Sequence, residues 1–163
     1  MCGGAGTRVW PESRESLPKQ FISLVGPLST FQMVVEMLAD CAFEMPVVIS
    51  NHDYRFLVAE QLQKIKREAR IVLEPIRRDS GPAVAVAAEL AAQSGPDTIV
   101  AVLAADHVVR DGAGFVALCK TAAEAAALGF IVTLGIKPDA PATGYGYIKP
   151  GKTVTQDGAA LKV

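Results

Sequence analysis

The chain has 163 residues, 50% of them hydrophobic and 20% charged, which is the balance of a globular domain with a core rather than of a disordered segment. Its formal net charge of −1 excludes bulk attraction to nucleic acid or acidic membranes, and no apolar run approaches the roughly 18 residues of a membrane span. The three cysteines lie far apart and are odd in number, so neither a disulfide framework nor a zinc site is expected, and a cytoplasmic location is predicted.

A glycine-rich loop, GGAGTR at 3–8, opens the chain and is followed by PKQF at 18–21. Glycines let backbone amides approach a polyanion closely, and the spacing is neither that of a dinucleotide fold nor that of a P-loop. Arg8 and Lys19 add two cations that suit the charge of a phosphoryl-transfer transition state. The alternative is a loop that binds nothing. Trp10 is predicted to pack under the loop.

Short β-branched runs alternate with helical patterns along the rest of the chain. The runs predict buried strands at 46–50, 70–74, 98–106 and 130–136. The patterns between them predict three helices: one capped by Asp53 with Val58, Leu62, Ile65 and Ala69 on one face, one at 82–93, and one that follows Asp111 and ends at Gly129. This alternation predicts an α/β fold with a mostly parallel sheet and helices on both faces. Residues 151–163 predict a hairpin whose second strand is just beginning.

The N-terminal loop lacks the strand that normally precedes and aims a phosphate-binding loop, since only Met1 and Cys2 come before Gly3. We therefore expect residues 1–163 to be a partial domain that lacks most of its first strand and is truncated at both ends. A sheet edge exposed in this way would invite pairing, so a homo-oligomer is one expected outcome.

Asp106, in LAADHVV at 103–109, follows the predicted strand at 98–105. Open α/β sheets bind ligands at this end of their strands, and a carboxylate there suits Mg²⁺, which keeps several waters while it bridges phosphates. The alternative is an aspartate that ends a strand or caps a turn. The neighbouring His107 is left out of the catalytic set, because a lone histidine is more often a hydrogen-bonded structural residue than a catalytic one.

The stretch GGAGTRVWPESRESLPKQF at 3–21 resembles the signature GGxGTRLxP…PK of the sugar-nucleotide pyrophosphorylases. Its WPxSR and PKQF segments are similar to the mannose-1-phosphate guanylyltransferase branch, which includes bifunctional enzymes with a phosphomannose isomerase domain. Further segments agree in order: NHDYRFLVAEQL (51–62), EPIRRDSGPAVAVAA (74–88), LAADHVV and TGYGYI (143–148). The resemblance implies a Rossmann-like, glycosyltransferase-A-like nucleotidyltransferase domain over nearly the whole chain.

This resemblance also implies a reaction and a set of site residues. GMP would pass from GTP to α-D-mannose 1-phosphate, giving GDP-mannose and pyrophosphate, with Arg8 and Lys19 as catalytic cations and Mg²⁺ held by Asp106. The implied nucleotide contacts are Gly3, Gly4, Ala5, Gly6, Thr7, Arg8, Glu74 and Arg78. The implied sugar contacts are Gly144, Tyr145 and Gly146, for which a structural turn is the alternative.

The sequence departs from the family pattern EPxGRNTAPA at four positions: Arg77, Asp79, Ser80 and Gly81. The first two bring charge close to the expected phosphates and leave base selectivity open. The alternatives are a pyrophosphorylase that uses UTP, dTTP or ATP with glucose 1-phosphate, or a nucleotide-binding fragment without turnover. Little activity is expected of the chain alone, because a later lysine motif and a second metal-binding aspartate of the family lie outside it.

Overall fold

A computed structural model describes residue 1 and residues 9–39, 43–76, 78–155 and 159–163. The chain divides into two compact units, Met1–Gly112 and Ala113–Val163, and each unit is described by itself. The six catalytic-loop positions predicted at 3–8 and the departure at Arg77 lie outside the described residues.

The first unit alternates helices and strands. Its elements, in chain order, are α1 (Thr30–Ala39), β1 (Val47–Asn51), α2 (Arg55–Lys64), β2 (Arg70–Glu74) and α3 (Ser80–Ser94). The β2 boundaries are those predicted, and β1 lies one residue further along the chain than predicted. The helix predicted at 82–93 is confirmed as α3, whereas α1 was not among the predicted elements.

β1 and β2 form a parallel pair, with Val47 opposite Arg70 and Asn51 opposite Glu74. The pairing places the carboxyl ends of both strands at the same edge. The α/β fold class is therefore confirmed, but the sheet formed by the described residues has two strands rather than the predicted four.

The core of the first unit forms where α1 and α2 meet the β1 strand. Val58 on α2 is fully buried, and Leu62 one turn later is 5% exposed, so the predicted apolar face of this helix is confirmed. Ile65 and Ala69 pack against the core although the helix ends at Lys64. The buried cluster comprises Phe21, Phe31, Val35, Val48, Tyr54, Val58, Leu62 and Ala105.

The start of α2 differs from the prediction. Residues His52–Tyr54 form a 3-10 turn before the helix, and the side chain of Asn51 accepts a hydrogen bond of 2.9 Å from the backbone N–H of Asp53. Asp53 was predicted to cap the helix, but its own backbone N–H is the group that is capped, because the chain turns as soon as β1 ends. Asn51 caps this 3-10 turn rather than α2 itself.

The run at 98–106 does not form a β-ladder with β1. A cavity of about 400 Å³ in the first unit is lined both by Val47–Ile49 of β1 and by residues 98–103 of the run, together with side chains of α1 and α3. The two segments thus line a shared cavity, and no backbone ladder joins them within the described residues. The strand prediction for this run is wrong within the described residues.

The carboxyl end of the 98–106 run forms backbone hydrogen bonds with Met1. Its amino group donates to the carbonyl of Leu103 at 2.8 Å, and its carbonyl accepts from the N–H of Ala105 at 3.2 Å. This is the bonding pattern of one residue in a parallel strand. It fixes the backbone immediately before Asp106.

The second unit begins in α4, which runs from Gly112 to Ala127. Gly129 follows with a φ of +88°, so the predicted glycine stop is confirmed. The strand predicted at 130–136 is wrong, because no ladder involves these residues and Ile131 is fully exposed.

The C-terminal hairpin is confirmed as an antiparallel bridge between Thr153 and Leu161. The N–H of Gly151 donates to the carbonyl of Lys162 at 2.8 Å, and the N–H of Lys162 donates to the carbonyl of Lys152 at 2.9 Å. Across the described ranges, the helices are too short or too polar to cross a membrane.

Candidate active site

Lys19 stands on a rigid turn. Residues Lys19–Phe21 form a 3-10 turn, in which the N–H of Phe21 donates to the carbonyl of Pro18 at 3.0 Å. Pro18 is fully buried, Gln20 is 3% exposed and Phe21 is 4% exposed, whereas the side chain of Lys19 is 36% exposed. Of these four residues, the lysine alone points its functional group towards solvent.

Aromatic contacts anchor this turn to the core. The Phe21 ring meets Phe31 of α1 edge to face at 5.5 Å between centroids and meets Tyr54 at 6.1 Å. The hydroxyl of Tyr54 donates to the carbonyl of Glu15 at 3.0 Å, which also holds the segment that leads into the turn. Such ring pairs stabilise by about 0.5–1.5 kcal/mol beyond the burial of their area.

A buried polar network adds directional contacts to the same turn. The Ser29 hydroxyl donates to Gln61 Oε1 at 2.6 Å, and Gln61 Nε2 donates to the carbonyl of Phe21 at 3.4 Å. Gln32 Nε2 donates to the backbone carbonyl of Gln61 at 3.0 Å. The network links α1, α2 and the turn, so the backbone under Lys19 is fixed from two helices.

The Lys19 ammonium lies against the carboxylate of Asp106, with 2.7 Å between Nζ and Oδ2. The Asp106 side chain is 33% exposed, and Ala105 before it is buried in the core. The structure therefore brings together two residues that the sequence predicted as parts of one site, although 87 positions separate them (106 minus 19).

The surroundings of Asp106 favour its charged form. Partial burial alone would raise the pKa of Asp106, but the hydrogen bond and positive charge of Lys19 outweigh it, with a smaller contribution from His107, and the net pKa is lowered. His107 Nε2 lies 3.9 Å from Oδ1, and the imidazole is 71% exposed. Asp106 is therefore an anion at neutral pH and is able to bind a cation.

The donor set at Asp106 fits magnesium bound with substrate. Among the residues that the structure describes, no group of three or more His, Cys, Asp or Glu side chains converges on one point. Mg²⁺ commonly uses one or two carboxylates together with waters and substrate phosphates, so a single half-exposed carboxylate suits it.

The predicted nucleotide residues Glu74 and Arg78 flank the end of β2. Glu74 is the last residue of β2 and is half-buried, whereas Arg78 is exposed before α3. Within the described residues, no hydrogen bond or ion pair connects either of them to Lys19 or Asp106. Asp79, one of the departures from the family pattern, has a φ of +43°, a conformation that is costly for a residue with a side chain.

The predicted sugar residues Gly144, Tyr145 and Gly146 lie in the second unit. Tyr145 is 79% exposed, and open space surrounds both glycines. The hydroxyl of Tyr147 accepts from the N–H of Ala142 at 2.6 Å and closes the turn. The motif forms an exposed turn, in which the N–H of Tyr145 donates to the carbonyl of Ala142 at 3.4 Å.

Some residues around Lys19 were not singled out from the sequence. Gln61 was interpreted only as part of a polar helix face, and Ser29 and Gln32 precede or belong to a helix that was not predicted, so only their burial and hydrogen bonds show that they support the lysine turn. A signal for Gln61 was its place between the buried residues Val58 and Leu62. Trp10 is 77% exposed, and the loop under which it was predicted to pack lies outside the described residues.

The comparison with protein families defines the class. The model of the nucleotidyl transferase family matches residues 1–160, and the chain therefore belongs to that family. The match covers both Lys19 and Asp106.

Curated relatives are similar over almost the whole chain. The xanthan biosynthesis protein XanB of Xanthomonas campestris pv. campestris is 51% identical over 152 residues, covering 93% of this chain and 32% of that protein. The mannose-1-phosphate guanylyltransferase RfbM of Salmonella typhimurium is 48% identical over 164 residues, covering 99% and 34%. The mannose-1-phosphate guanylyltransferase of Escherichia coli K12 is 45% identical over 168 residues, covering 100% and 35%. The chain thus spans about a third of the length of these relatives. No solved structure matches it.

Proposed function

We propose that this chain is the nucleotide-activating part of a mannose-1-phosphate guanylyltransferase, which transfers GMP from GTP to α-D-mannose 1-phosphate. The observation that carries the proposal is the 2.7 Å contact between Lys19 and Asp106. It joins the PKQF and LAADHVV segments in one site. Relatives at 48% and 45% identity that bear this enzyme's name support the choice of substrates.

In the proposed reaction, a phosphate oxygen of mannose 1-phosphate forms a bond to the α-phosphorus of GTP. The bond from that phosphorus to the β-phosphate oxygen breaks, and pyrophosphate leaves with the electron pair. No covalent enzyme intermediate is needed, so the protein acts by alignment and by charge neutralisation. Lys19 supplies a cation on a fixed turn, and Arg8 is proposed to supply a second.

Asp106 is the proposed ligand of Mg²⁺. When bound, this ion would neutralise phosphate charge and orient the triphosphate. Because the pKa of Asp106 is lowered, the carboxylate stays ionised and ready for a cation at neutral pH. The half-exposed position leaves room for waters and phosphate oxygens around the ion.

The remaining assignments stay part of the proposal. Glu74 and Arg78 would contact the nucleotide at the end of β2, with the loop at 3–8 around the phosphates. The backbone of 144–146 would contact the sugar. The cytoplasmic location and a homo-oligomer also stay predictions, with GTP and the sugar phosphate as partners rather than nucleic acid or membrane.

Equilibrium binding to the 163-residue chain tests the nucleotide assignment. With Mg²⁺ present, GTP is expected to bind more tightly than UTP, dTTP or ATP, and Lys19→Met is expected to weaken GTP binding. Lys120→Met, which removes an exposed lysine of α4, is the matched control and is expected to bind like the wild type. A preference for UTP or dTTP would overturn the guanylyl assignment.

Turnover is tested in a protein that carries this sequence within the full length of its relatives. Release of pyrophosphate is measured with GTP and mannose 1-phosphate at saturation. Lys19→Met is expected to lower kcat by about 10²–10³-fold, as for loss of one transition-state donor. Near-wild-type kcat in this variant would contradict the catalytic role, and binding without turnover in the parent would favour a nucleotide-binding module.

A further inference from the structure

The Lys19 ammonium lies on the carboxylate that the proposed function assigns to a divalent cation. It contacts Oδ2 of Asp106 at 2.7 Å, and the other oxygen, Oδ1, has His107 Nε2 at 3.9 Å. A metal ion that approaches Asp106 would therefore meet a positive charge already in place.

We propose that Lys19 is an exchangeable counter-ion: it pairs with Asp106 before substrate binds, and transfers to a phosphate oxygen when the metal–nucleotide complex takes the carboxylate. This inference rests on the proposed function and deepens it, because it gives the lysine two successive partners. Lys19 then weakens the binding of the metal ion alone and strengthens the binding of the metal–nucleotide complex.

The local structure suits an exchange of this kind. Pro18 and Gln20 hold the backbone on both sides of Lys19 in the core, while the side chain itself is 36% exposed. A lysine carries its charge on a flexible four-carbon stem with three donors, so the ammonium swings without any movement of the turn. An ion pair that is this exposed is weak and easily exchanged.

The charges balance at each stage. Before substrate binds, one ammonium neutralises one carboxylate at this site. When a nucleotide brings a divalent cation to Asp106, the triphosphate also brings oxygens that accept the released ammonium. Without nucleotide, the same lysine only repels the metal, and a divalent cation about 5 Å from an ammonium loses about tenfold in affinity in a water-like dielectric.

Mn²⁺ alone is the probe, and its binding to the 163-residue chain is followed by the relaxation rate of water protons. Lys19→Met removes the charge and keeps most of the stem, so it is expected to bind Mn²⁺ about tenfold more tightly than the wild type. Lys19→Arg keeps the charge and is expected to stay within about twofold of the wild type. Asp106→Asn is expected to bind most weakly.

The same Lys19→Met chain is then titrated with GTP in the presence of Mg²⁺, where weaker binding is expected. Opposite changes for the metal alone and for the metal–nucleotide complex are expected from exchange, whereas a merely structural role would shift both in one direction. Urea unfolding of each variant confirms that it is folded, and Lys19→Gln repeats the test with a neutral polar side chain.

Unchanged or weaker Mn²⁺ binding in both Lys19→Met and Lys19→Gln would overturn the exchange. If Asp106→Asn bound Mn²⁺ as tightly as the wild type, the metal assignment itself would fail, and the exchange with it. The Asp106 variant thus separates failure of the exchange from failure of the proposed site.

Discussion

The strand β1 and the segment at 130–136 are built from the same kinds of residue but have different surroundings. Ile49 in β1 is 3% exposed, and β2 pairs alongside this strand. Ile131 in the second segment is fully exposed, and no ladder forms there. The difference shows that an apolar β-branched run forms a strand only when a neighbouring strand pairs with its backbone and other side chains cover it.

The largest expected effect comes from replacing these two isoleucines. Ile49→Ala is expected to lower the free energy of unfolding by about 2–4 kcal/mol, since it removes buried methyl groups and leaves a cavity. Ile131→Ala is expected to change it by less than about 0.5 kcal/mol. Urea unfolding, followed by far-ultraviolet circular dichroism, measures both.

Equal losses in the two variants would break the comparison, because they would show that the 130–136 segment is packed in solution. Such a result would show that the Ile131 side chain packs against another surface. A small loss of stability in Ile49→Ala would instead show that the neighbouring 400 Å³ cavity collapses when the Ile49 side chain is shortened.

A second contrast uses hydroxyl groups. Ser29→Ala removes the donor to Gln61 Oε1, and leaving a buried amide oxygen unsatisfied is expected to cost about 1–3 kcal/mol. Thr121 on α4 donates to the carbonyl of Ala117 at 3.5 Å in an exposed position, so Thr121→Ala is expected to stay within about 0.5 kcal/mol of the wild type. The midpoints of thermal unfolding measure the contrast, and a Ser29→Ala midpoint equal to that of Thr121→Ala would contradict the network.

The smallest effect concerns the 98–106 run, which Lys19 helps to hold through Asp106. The pKa of Asp106 is lowered in the folded chain. The ion pair with Lys19 therefore stabilises the fold at any pH above the ordinary aspartate pKa of about 3.9, and this stabilisation is lost as the pH falls through the lower pKa of the folded chain. Lys19→Met is expected to be less stable by under about 1 kcal/mol at pH 7, because the pair is partly exposed.

Urea unfolding of wild type and Lys19→Met from pH 7 down to pH 2 measures this difference. The gap is expected to close below about pH 4, as Asp106 becomes protonated. A gap that stays constant over the whole range would show that the lysine stabilises by packing of its stem alone.

Local patterns predicted the parts of the fold that depend on local structure. The boundaries of β2, the apolar face of α2 and the glycine stop after α4 all follow from side-chain period or backbone freedom. The runs at 98–106 and 130–136 were predicted wrongly as strands because pairing depends on what lies beside them. For the candidate site, the motifs indicated Lys19 and Asp106, but no local signal gave their contact or its support by Ser29 and Gln61.

Lys19 owes its fixed base to buried Pro18 and Phe21, and this has a consequence for ligand capture. The backbone entropy of the turn is already lost when the core forms, so binding restricts only the lysine side chain. Substitutions that loosen the core without unfolding it are thus expected to weaken ligand affinity first, because ligand binding must then also order the turn. Ligand recognition and global stability are in this way thermodynamically linked.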